Sequence, residues 1–302
     1  MDKLRDARVD ALAPKLEDYR EKYAEFVALD RDDQGVLTVR MQTDGGPLIW
    51  NRWSHRALGL AWADIGRDPE NEVVILTGSD EGWLTVAPPD EAYPGGLNLY
   101  WTSYAGHMRF WESFVNSIEV PTIAALHAPR VAALPLPAFA LHLEVALCCD
   151  LTLCSDTTQF GDPHFFSVGG LAMGKGVPGG SGQGLALEEL IGRKRMAYLH
   201  YTGTHIDAQT ALAWGAVNEV LPLDRLLPRA KEIASSIIAA APSVTRRLQS
   251  QMFKRRWRKT LLEEFELGLA HEVLAIALDE DARARMVLDG GPERYPASDG
   301  GC

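Results

Sequence analysis

Cysteine is scarce in this sequence, which contains 4 cysteines among 302 residues. Cys148, Cys149, Cys154 and Cys302 have none of the spacings that are typical of metal sites. Adjacent cysteines in a buried segment behave as small apolar side chains. We therefore expect no disulfide, no bound metal and no cofactor.

Positive charge is also scarce. Against 41 aspartates and glutamates there are 30 lysines and arginines, which leaves a net charge of -11 and a pI near 5.2. Because phosphate binding needs a basic surface, we do not expect nucleic acid as a partner. The basic run Lys254–Lys259 is interpreted as solvated charge on a helix, with phosphate binding or a subunit contact as alternatives.

Long uninterrupted hydrophobic runs are absent. The first ten residues carry charges where a secretory signal needs an apolar stretch, so we expect a cytoplasmic protein. The segment Val131–Leu147 is apolar, but it is interrupted by Pro135, Pro137, His142 and Glu144. We therefore expect a buried core segment there and no membrane span.

The hydrophobic content of 46% is enough for a full core, and the alternation of strand-like and helix-like segments predicts an α/β chain. We expect a helical extension over residues 1–23, one main domain over 24–225, a helical region over 226–289 and a disordered tail over 290–302.

Several elements are predicted before the middle of the chain. A hairpin is expected over Phe26–Val39, with its turn at Asp32–Gly35, and Pro47–Trp50 is expected to continue the same sheet. Ser54–Arg67 is predicted to be a helix that Ser54 caps, and Val73–Thr77 to be a buried strand.

Two segments rich in glycine are predicted to be loops. Thr85–Asn98 also contains prolines and is expected to form a mobile loop, or lid, over a site. Gly169–Gly184 includes GKGVPGG, but no apolar strand precedes these residues and no GK[ST] ends them, so a nucleotide site is only weakly indicated. Lys175 in this loop is a candidate for binding an acidic substrate group, against the alternative of a solvated lysine.

The stretch HLEVALCCDLTLCSDTTQFGDPH places two imidazoles and a carboxylate around one buried strand, Leu151–Cys154. Ala140–Cys149 is predicted to be a buried helix with His142 in its first turn, where the helix dipole favours a neutral imidazole or an enolate. Residues two apart on a helix point in different directions, so we expect no contact between His142 and Glu144. His164 is expected in a Gly-Asp-Pro turn.

In the segment TGTHIDAQTALAWGAVNEVLP, Asp207 is expected to cap a short helix and Gly215 to end it. Together with the strand at Val73–Thr77 and the segment IEVPTIAALHAP, this segment resembles the crotonase superfamily, the enoyl-CoA hydratase and isomerase fold. The resemblance extends over roughly residues 25–275, and TGTHIDAQTALAWGAVNEVLP is its clearest marker. The resemblance implies a ββα spiral with two roughly perpendicular sheets, a C-terminal helical region that docks on a neighbour, and homotrimers or dimers of trimers.

In hydratases of this superfamily the matching helix and turn carry two catalytic glutamates. Glu144 stands at the first position, whereas His164 stands at the second. A histidine there is similar to the branch that contains 6-oxocamphor hydrolase and other β-diketone hydrolases. The resemblance to this branch also covers Trp50, His55, His142 and Glu272.

The branch implies hydrolysis of a carbon–carbon bond in a cyclic 1,3-diketone, without coenzyme A. By this resemblance His164 activates water and His142 stabilises or protonates the enolate, tasks that suit a group with a pKa near 6.5. Glu144 and Glu272 complete the candidate catalytic set. Backbone N–H groups of Thr85 and Leu141 match the oxyanion hole of hydratases. The remaining candidates for binding a small apolar carbonyl substrate are Trp50, His55, Trp83 and Lys175.

One departure concerns the partner of the base histidine. The branch has an aspartate in a Pro-Gly-Asp-Gly turn after that histidine, whereas this chain reads GGLAMGKGVPGG with Lys175 nearest to the position. Asp162 is too close in sequence to His164 to be an obvious orienter, and Glu144 or Glu272 would need the right fold geometry to take that role. Two alternatives therefore stay open: a CoA-thioester hydratase or lyase that uses Glu144, and a non-catalytic scaffold with the crotonase fold.

Overall fold

The structure is a computed structural model that describes residues 12–86, 106–129, 142–162, 164–165, 178–179 and 182–278. Several predictions lie outside these residues. They concern Leu141, Lys175, nearly all of the expected lid, most of the second glycine-rich loop and the tail over 290–302.

A six-stranded sheet forms the centre of the fold, with strands in the order β1-β2-β4-β6-β7-β10. Only the hairpin of β1 and β2 is antiparallel, and the other neighbours run parallel. Two short pairs lie outside this sheet, namely parallel β3 with β5 and antiparallel β8 with β9. The strands are β1 (Val27–Arg31), β2 (Val36–Met41), β3 (Leu48–Trp50), β4 (Val73–Thr77), β5 (Leu84–Val86), β6 (Thr122–Leu126), β7 (Leu151–Ser155), β8 (Gln159–Phe160), β9 (Ile206–Asp207) and β10 (Glu219–Leu221).

Helices cover both faces of the central sheet. They are α1 (Leu16–Lys22), α2 (Arg52–Arg67), α3 (Gly106–Ser117), α4 (Glu144–Leu147), α5 (Gln183–Ile191), α6 (Arg193–Thr202), α7 (Ala208–Trp214), α8 (Leu223–Ala240), α9 (Ser243–Thr260) and α10 (Glu266–Leu278), with a π-helical turn at Leu261–Phe265 before α10. None of the helices in the described ranges is both long and apolar enough to cross a membrane.

Successive side chains of the buried strands point to opposite faces of the sheet, so that one apolar cluster lies on each face. Val73 and Ile75 of β4 belong to the apolar cluster beneath α8, whereas Val74 and Leu76 belong to the larger cluster on the opposite face. A strand that is buried on both faces has a continuous apolar sequence, as β4 has. The hairpin, the strand Val73–Thr77 and the helix between Asp207 and Gly215 are confirmed.

Two local predictions are wrong. The segment at Pro47–Trp50 does not continue the main sheet, because β3 pairs with β5 instead. The cap of α2 is Asn51, whose side chain accepts the N–H groups of Trp53 and Ser54, while the Ser54 hydroxyl contacts the Asn51 backbone in return. This reciprocal capping box moves the start of the helix ahead of Ser54.

The C-terminal helices pack on their own chain. Lys254 of α9 is buried and donates hydrogen bonds to the carbonyl oxygens of Ile118 and Val120, at 2.7 and 3.0 Å. Farther along, Phe265 and Leu269 enter the main core. These contacts hold α10 beside the segment that follows β8, which is how a residue more than a hundred positions away reaches His164.

Candidate active site

The candidate site forms where β3, the N-terminal half of α2 and the segments after β6 and β8 meet α10. These elements carry, respectively, Trp50, His55, His142, His164 and Glu272. Five of the residues that the sequence indicated are therefore brought into one region, although the first and the last of them are more than two hundred positions apart along the chain.

His142 lies before α4 and not inside a helix. Its φ is +50°, a left-handed conformation that is uncommon outside glycine, and α4 begins only at Glu144. The Nδ1 atom of His142 is 2.7 Å from Oε1 of Glu144. Both the expected position in a first helical turn and the expected separation from Glu144 are wrong, because the left-handed backbone turns the imidazole back over its neighbour.

Aromatic side chains fix the His142 imidazole on its other side. The ring stacks on Trp50, with 3.8 Å between ring centroids and 26° between planes. The backbone carbonyl of His142 accepts a hydrogen bond of 3.2 Å from the indole N–H of Trp83. Trp83 was predicted to bind substrate, but it is fully buried, and the contact that it makes is with the His142 backbone.

His55 lies behind this stack. Its ring centroid is 6.0 Å from that of His142 and 5.0 Å from that of Trp50. Burial holds the pKa of His55 well below its usual range, and the nearby His142 lowers it further. His55 is consequently neutral.

Glu144 is 1% exposed, and its second oxygen points into the protein. Among the described residues, Oε2 of Glu144 has no hydrogen-bond partner. A buried carboxylate oxygen without a partner is costly, and such atoms concentrate at functional sites. Glu144 thus contacts His142 through Oε1, and its Oε2 remains available for a different hydrogen bond.

Asp162 binds His164 despite lying only two residues before it. Its Oδ1 accepts the His164 backbone N–H at 2.9 Å and lies 2.6 Å from Nδ1 of the His164 ring. The prediction that Asp162 is too close in sequence to be an obvious orienter of His164 is therefore wrong. The Asp162 carboxylate reaches both the backbone and the ring of a residue two positions later, as short Asp side chains commonly do.

The other ring nitrogen of His164 faces the C-terminal helix. Nε2 of His164 is 3.8 Å from Oε1 of Glu272, which is also buried. The imidazole therefore has a carboxylate on each side. At this distance the two groups attract each other electrostatically without a direct hydrogen bond.

These carboxylates change the protonation of His164. Burial opposes the charged form, but Asp162, followed by Glu272 and Glu144, outweighs it and raises the pKa of His164 to about 10. Burial alone would raise the pKa of Asp162, yet the His164 charge and hydrogen bond, together with the His200 charge, lower it. His164 and Asp162 thus form an ion pair at neutral pH, whereas the sequence suggested an imidazole without a large pKa shift.

The described end of the glycine-rich loop surrounds Asp162. A side chain at Gly184 would collide with the carbonyl oxygen of Gly179 and lie 3.1 Å from Oδ2 of Asp162. A side chain at Gly179 would collide with His200, whose Nε2 is 3.7 Å from the same oxygen of Asp162. These glycines allow the backbone to approach the aspartate closely, which is a physical reason for their presence other than phosphate binding.

Two residues of the site were missed by the sequence reasoning. His200 lies on α6 and approaches Asp162, and Gln183 begins α5 with a buried side chain. In the sequence, Gln183 could have been recognised as a polar amide that is flanked by glycines on both sides. No comparable signal exists for His200, because its proximity to Asp162 depends on how α6 packs.

Of the three remaining predicted site residues, the structure describes only Thr85. Thr85 lies in β5, opposite Ile49 of the strand that carries Trp50, and is half-buried. Leu141 and Lys175 are outside the described residues. Over the described ranges the acidic, histidine and cysteine side chains form no group that could hold a metal ion.

Comparison with known families gives a match over most of the chain. The family described as enoyl-CoA hydratase/isomerase matches residues 54–277. A probable enoyl-CoA hydratase from Mycobacterium leprae is 35% identical over 209 residues, which cover 69% of this chain and 72% of that protein. A probable mitochondrial enoyl-CoA hydratase from Arabidopsis thaliana is 28% identical over 230 residues, or 72% and 68% of the two chains.

Solved structures extend the comparison. A β-diketone hydrolase from the cyanobacterium Anabaena sp. PCC 7120, bound to (S)-3-oxocyclohexyl acetic acid, is similar with a TM-score of 0.74 and 29% identity. The match covers 88% of this chain and 98% of that one. An enoyl-CoA hydratase from Mycobacterium avium subsp. paratuberculosis has a TM-score of 0.65 at 17% identity over 90% and 97% of the two chains, a likeness in fold alone.

Proposed function

The chain belongs to the enoyl-CoA hydratase/isomerase family and has its α/β crotonase fold, and we propose that it is a hydrolase of cyclic 1,3-diketones. The reaction is a retro-Claisen cleavage of a carbon–carbon bond that requires no coenzyme A. We further propose a cytoplasmic homotrimer or dimer of trimers, which the family resemblance implies and native mass spectrometry would test.

The observation that supports this function best is the Asp162–His164 pair facing Glu272. Hydratases of the family resemble this chain at Glu144, but His164 replaces their second glutamate. An imidazole held by a carboxylate at Nδ1 has the arrangement of a general base that activates a nucleophile with Nε2. The likeness to a solved β-diketone hydrolase supports the same conclusion.

The first step is the attack of water. A water molecule held between Nε2 of His164 and Oε1 of Glu272 gives a proton to neutral His164 as its oxygen attacks one carbonyl carbon of the diketone. The carbonyl π electrons move to oxygen and form a tetrahedral alkoxide. Asp162 keeps the Nδ1–H of His164 in place and stabilises the imidazolium that results.

The second step is cleavage of the carbon–carbon bond. The alkoxide collapses to a carboxylic acid, and the electron pair of the broken bond passes to the adjacent carbon as an enolate conjugated with the second carbonyl. His142, whose Nδ1 contacts Glu144, donates a proton to the enolate carbon. The single ring-opened product then carries the hydroxyl of water in its new carboxyl group and a proton on the carbon released from the broken bond, and proton exchange with solvent restores both histidines.

The side chains around His142 suit an apolar ring. Trp50 and the buried His55 place aromatic groups beside it, while the charge of the site is supplied by the pairs that Glu144 and Asp162 form and by Glu272. Apolar walls with a few fixed polar groups are typical of sites for small molecules. Backbone N–H groups at Thr85 and Leu141 are proposed donors to the alkoxide.

A second candidate function is hydration or lyase chemistry on a CoA thioester with Glu144 as the acid–base residue. The named enoyl-CoA hydratases among the relatives favour it, as does the unpartnered Oε2 of Glu144. The contact between His142 and Oε1 of Glu144 argues against this second function, because an oxygen that is bonded to His142 is less accessible to a substrate.

The test compares His164→Gln with His271→Gln, a variant of an exposed histidine on α10. Both proteins and the wild type are incubated with cyclic 1,3-diketones and, separately, with crotonyl-CoA. We expect diketone cleavage by the wild type and the control, and a loss of about a thousandfold or more in His164→Gln. Turnover of crotonyl-CoA alone would favour the hydratase, and turnover of neither substrate by the wild type would favour a non-catalytic scaffold.

A further inference from the structure

Gln183 connects the two segments that carry the candidate catalytic histidines. Its Oε1 accepts the backbone N–H of Leu143 at 3.1 Å, and its Nε2 donates to the backbone carbonyl of Gly161. Leu143 directly follows His142, and Gly161 directly precedes Asp162. One side chain therefore spans from the His142–Glu144 pair to the Asp162–His164 pair.

The chemistry of an amide suits this position. One end of the Gln183 side chain accepts and the other donates, which matches an N–H on one segment and a carbonyl on the other. The side chain is only 3% exposed, so water does not compete for either hydrogen bond. A buried, fully satisfied polar link of this kind rigidifies the groups that it joins.

We infer that Gln183 is a positioning residue that sets the separation between His142 and His164. The inference rests on the proposed function, in which one histidine activates water and the other delivers a proton to the carbon that departs. Both events involve one small substrate, so the two imidazoles must keep a fixed spacing. A displacement of about 1 Å between reacting groups can reduce a rate by about a hundredfold.

A positioning role for Gln183 can be distinguished from a purely structural role, in which the side chain only provides hydrogen bonds to the Leu143 N–H and the Gly161 carbonyl. If Gln183 only stabilises the fold, removal of its amide lowers the free energy of unfolding and leaves the surviving folded protein fully active. If it sets the spacing, the folded variant binds substrate with similar affinity and turns it over slowly, and the environments of both imidazoles change.

The primary variant is Gln183→Met, which keeps the length of the side chain and removes both hydrogen bonds. Gln209→Met, at an exposed position on α7, is the matched control. For Gln183→Met we expect kcat to fall by about 10- to 100-fold with KM changed by less than about threefold. We also expect the imidazole NMR signals of both His142 and His164 to shift, while the control matches the wild type in every measurement.

A second variant covers the case in which Gln183→Met does not fold. Gln183→Glu retains an acceptor for the Leu143 N–H and places a carboxylate oxygen against the Gly161 carbonyl. We expect the His164 signal to shift in this variant and the His142 signal to move much less.

The NMR measurement needs no substrate, so it separates this inference from the proposed function. Shifted imidazole signals without turnover of any diketone would support the link and reject the reaction. Unchanged signals for both histidines in folded Gln183→Met, or an unchanged kcat on a substrate that the wild type turns over, would overturn the inference.

Discussion

Asp162 and His164 are two residues apart, and one carboxylate oxygen of the aspartate contacts both the backbone N–H and the ring Nδ1 of the histidine. The pair therefore needs no second strand or helix to bring it together. The contact with Asp162 orients the His164 ring, and Nε2 lies toward Glu272. The consequences of this relationship can be measured separately.

Asp162→Asn tests the orientation of His164. The asparagine keeps the size of the side chain but removes the charge that stabilises an imidazolium and permits the wrong tautomer. We expect kcat/KM for diketone cleavage to fall by about a thousandfold to ten-thousandfold in steady-state assays. Asp156→Asn, at an exposed aspartate in the turn after β7, should retain wild-type activity. Comparable activities in the two variants would contradict the role of Asp162.

The pH dependence of the rate follows from the raised pKa of His164. A base must be neutral, and the surrounding carboxylates raise the pKa of His164 to about 10, outweighing the opposite effect of its burial. The neutral fraction therefore grows with pH through the neutral and mildly alkaline range. We expect kcat/KM to rise by about tenfold per pH unit toward that pKa. A profile that falls over the same range would mean that protonated His164 is the active form.

The same pKa shift predicts how stability depends on pH. The pKa of His164 is about 10 in the folded state, above its ordinary value of about 6.5 in an unfolded chain. Proton binding thus favours the folded state fully below about pH 6.5, and this contribution is lost as pH rises toward about 10. In urea unfolding, the stability advantage of wild type over His164→Gln should shrink between those pH values. An advantage that grows with pH would refute the ion pair.

Lys254 tests how the C-terminal helices are held. Lys254→Met leaves the carbonyl oxygens of Ile118 and Val120 without their buried donor, so we expect the free energy of unfolding to fall by about 3 kcal/mol in urea titrations. Lys259→Met is the control, because that side chain is 63% exposed and should change stability by less than about 0.5 kcal/mol. Equal stabilities for the two variants would contradict a structural role for Lys254.

Much of the fold follows from local sequence patterns. Val73–Thr77 is predominantly apolar, as expected for a strand that is buried on both faces. The ends of α7 are also predictable, because the Asp207 side chain caps its start and the left-handed backbone of Gly215 ends it, and both features depend only on neighbouring residues. The pairing of β3 with β5 was less predictable. Both strands are short, and neither sequence specifies its partner.

The structure brings together several residues that the sequence indicated, but their geometry was predicted less well. The left-handed φ of His142 brings its ring onto Glu144, and a periodicity argument that assumes a helix cannot foresee that contact. The pairing of His164 with Asp162 depends on a turn, and its approach to Glu272 depends on packing of distant helices. Long-range placement of this kind is not encoded in the spacing of residues.

The most direct test of the central claim is mass spectrometry of products formed in oxygen-18 water from a cyclic 1,3-diketone, with crotonyl-CoA as the rival substrate. Hydrolytic cleavage predicts a ring-opened keto acid that carries one oxygen-18 atom in its new carboxyl group, and this product should be lost in His164→Gln. A labelled hydroxyacyl-CoA, with no keto acid from any diketone, would contradict the proposed reaction.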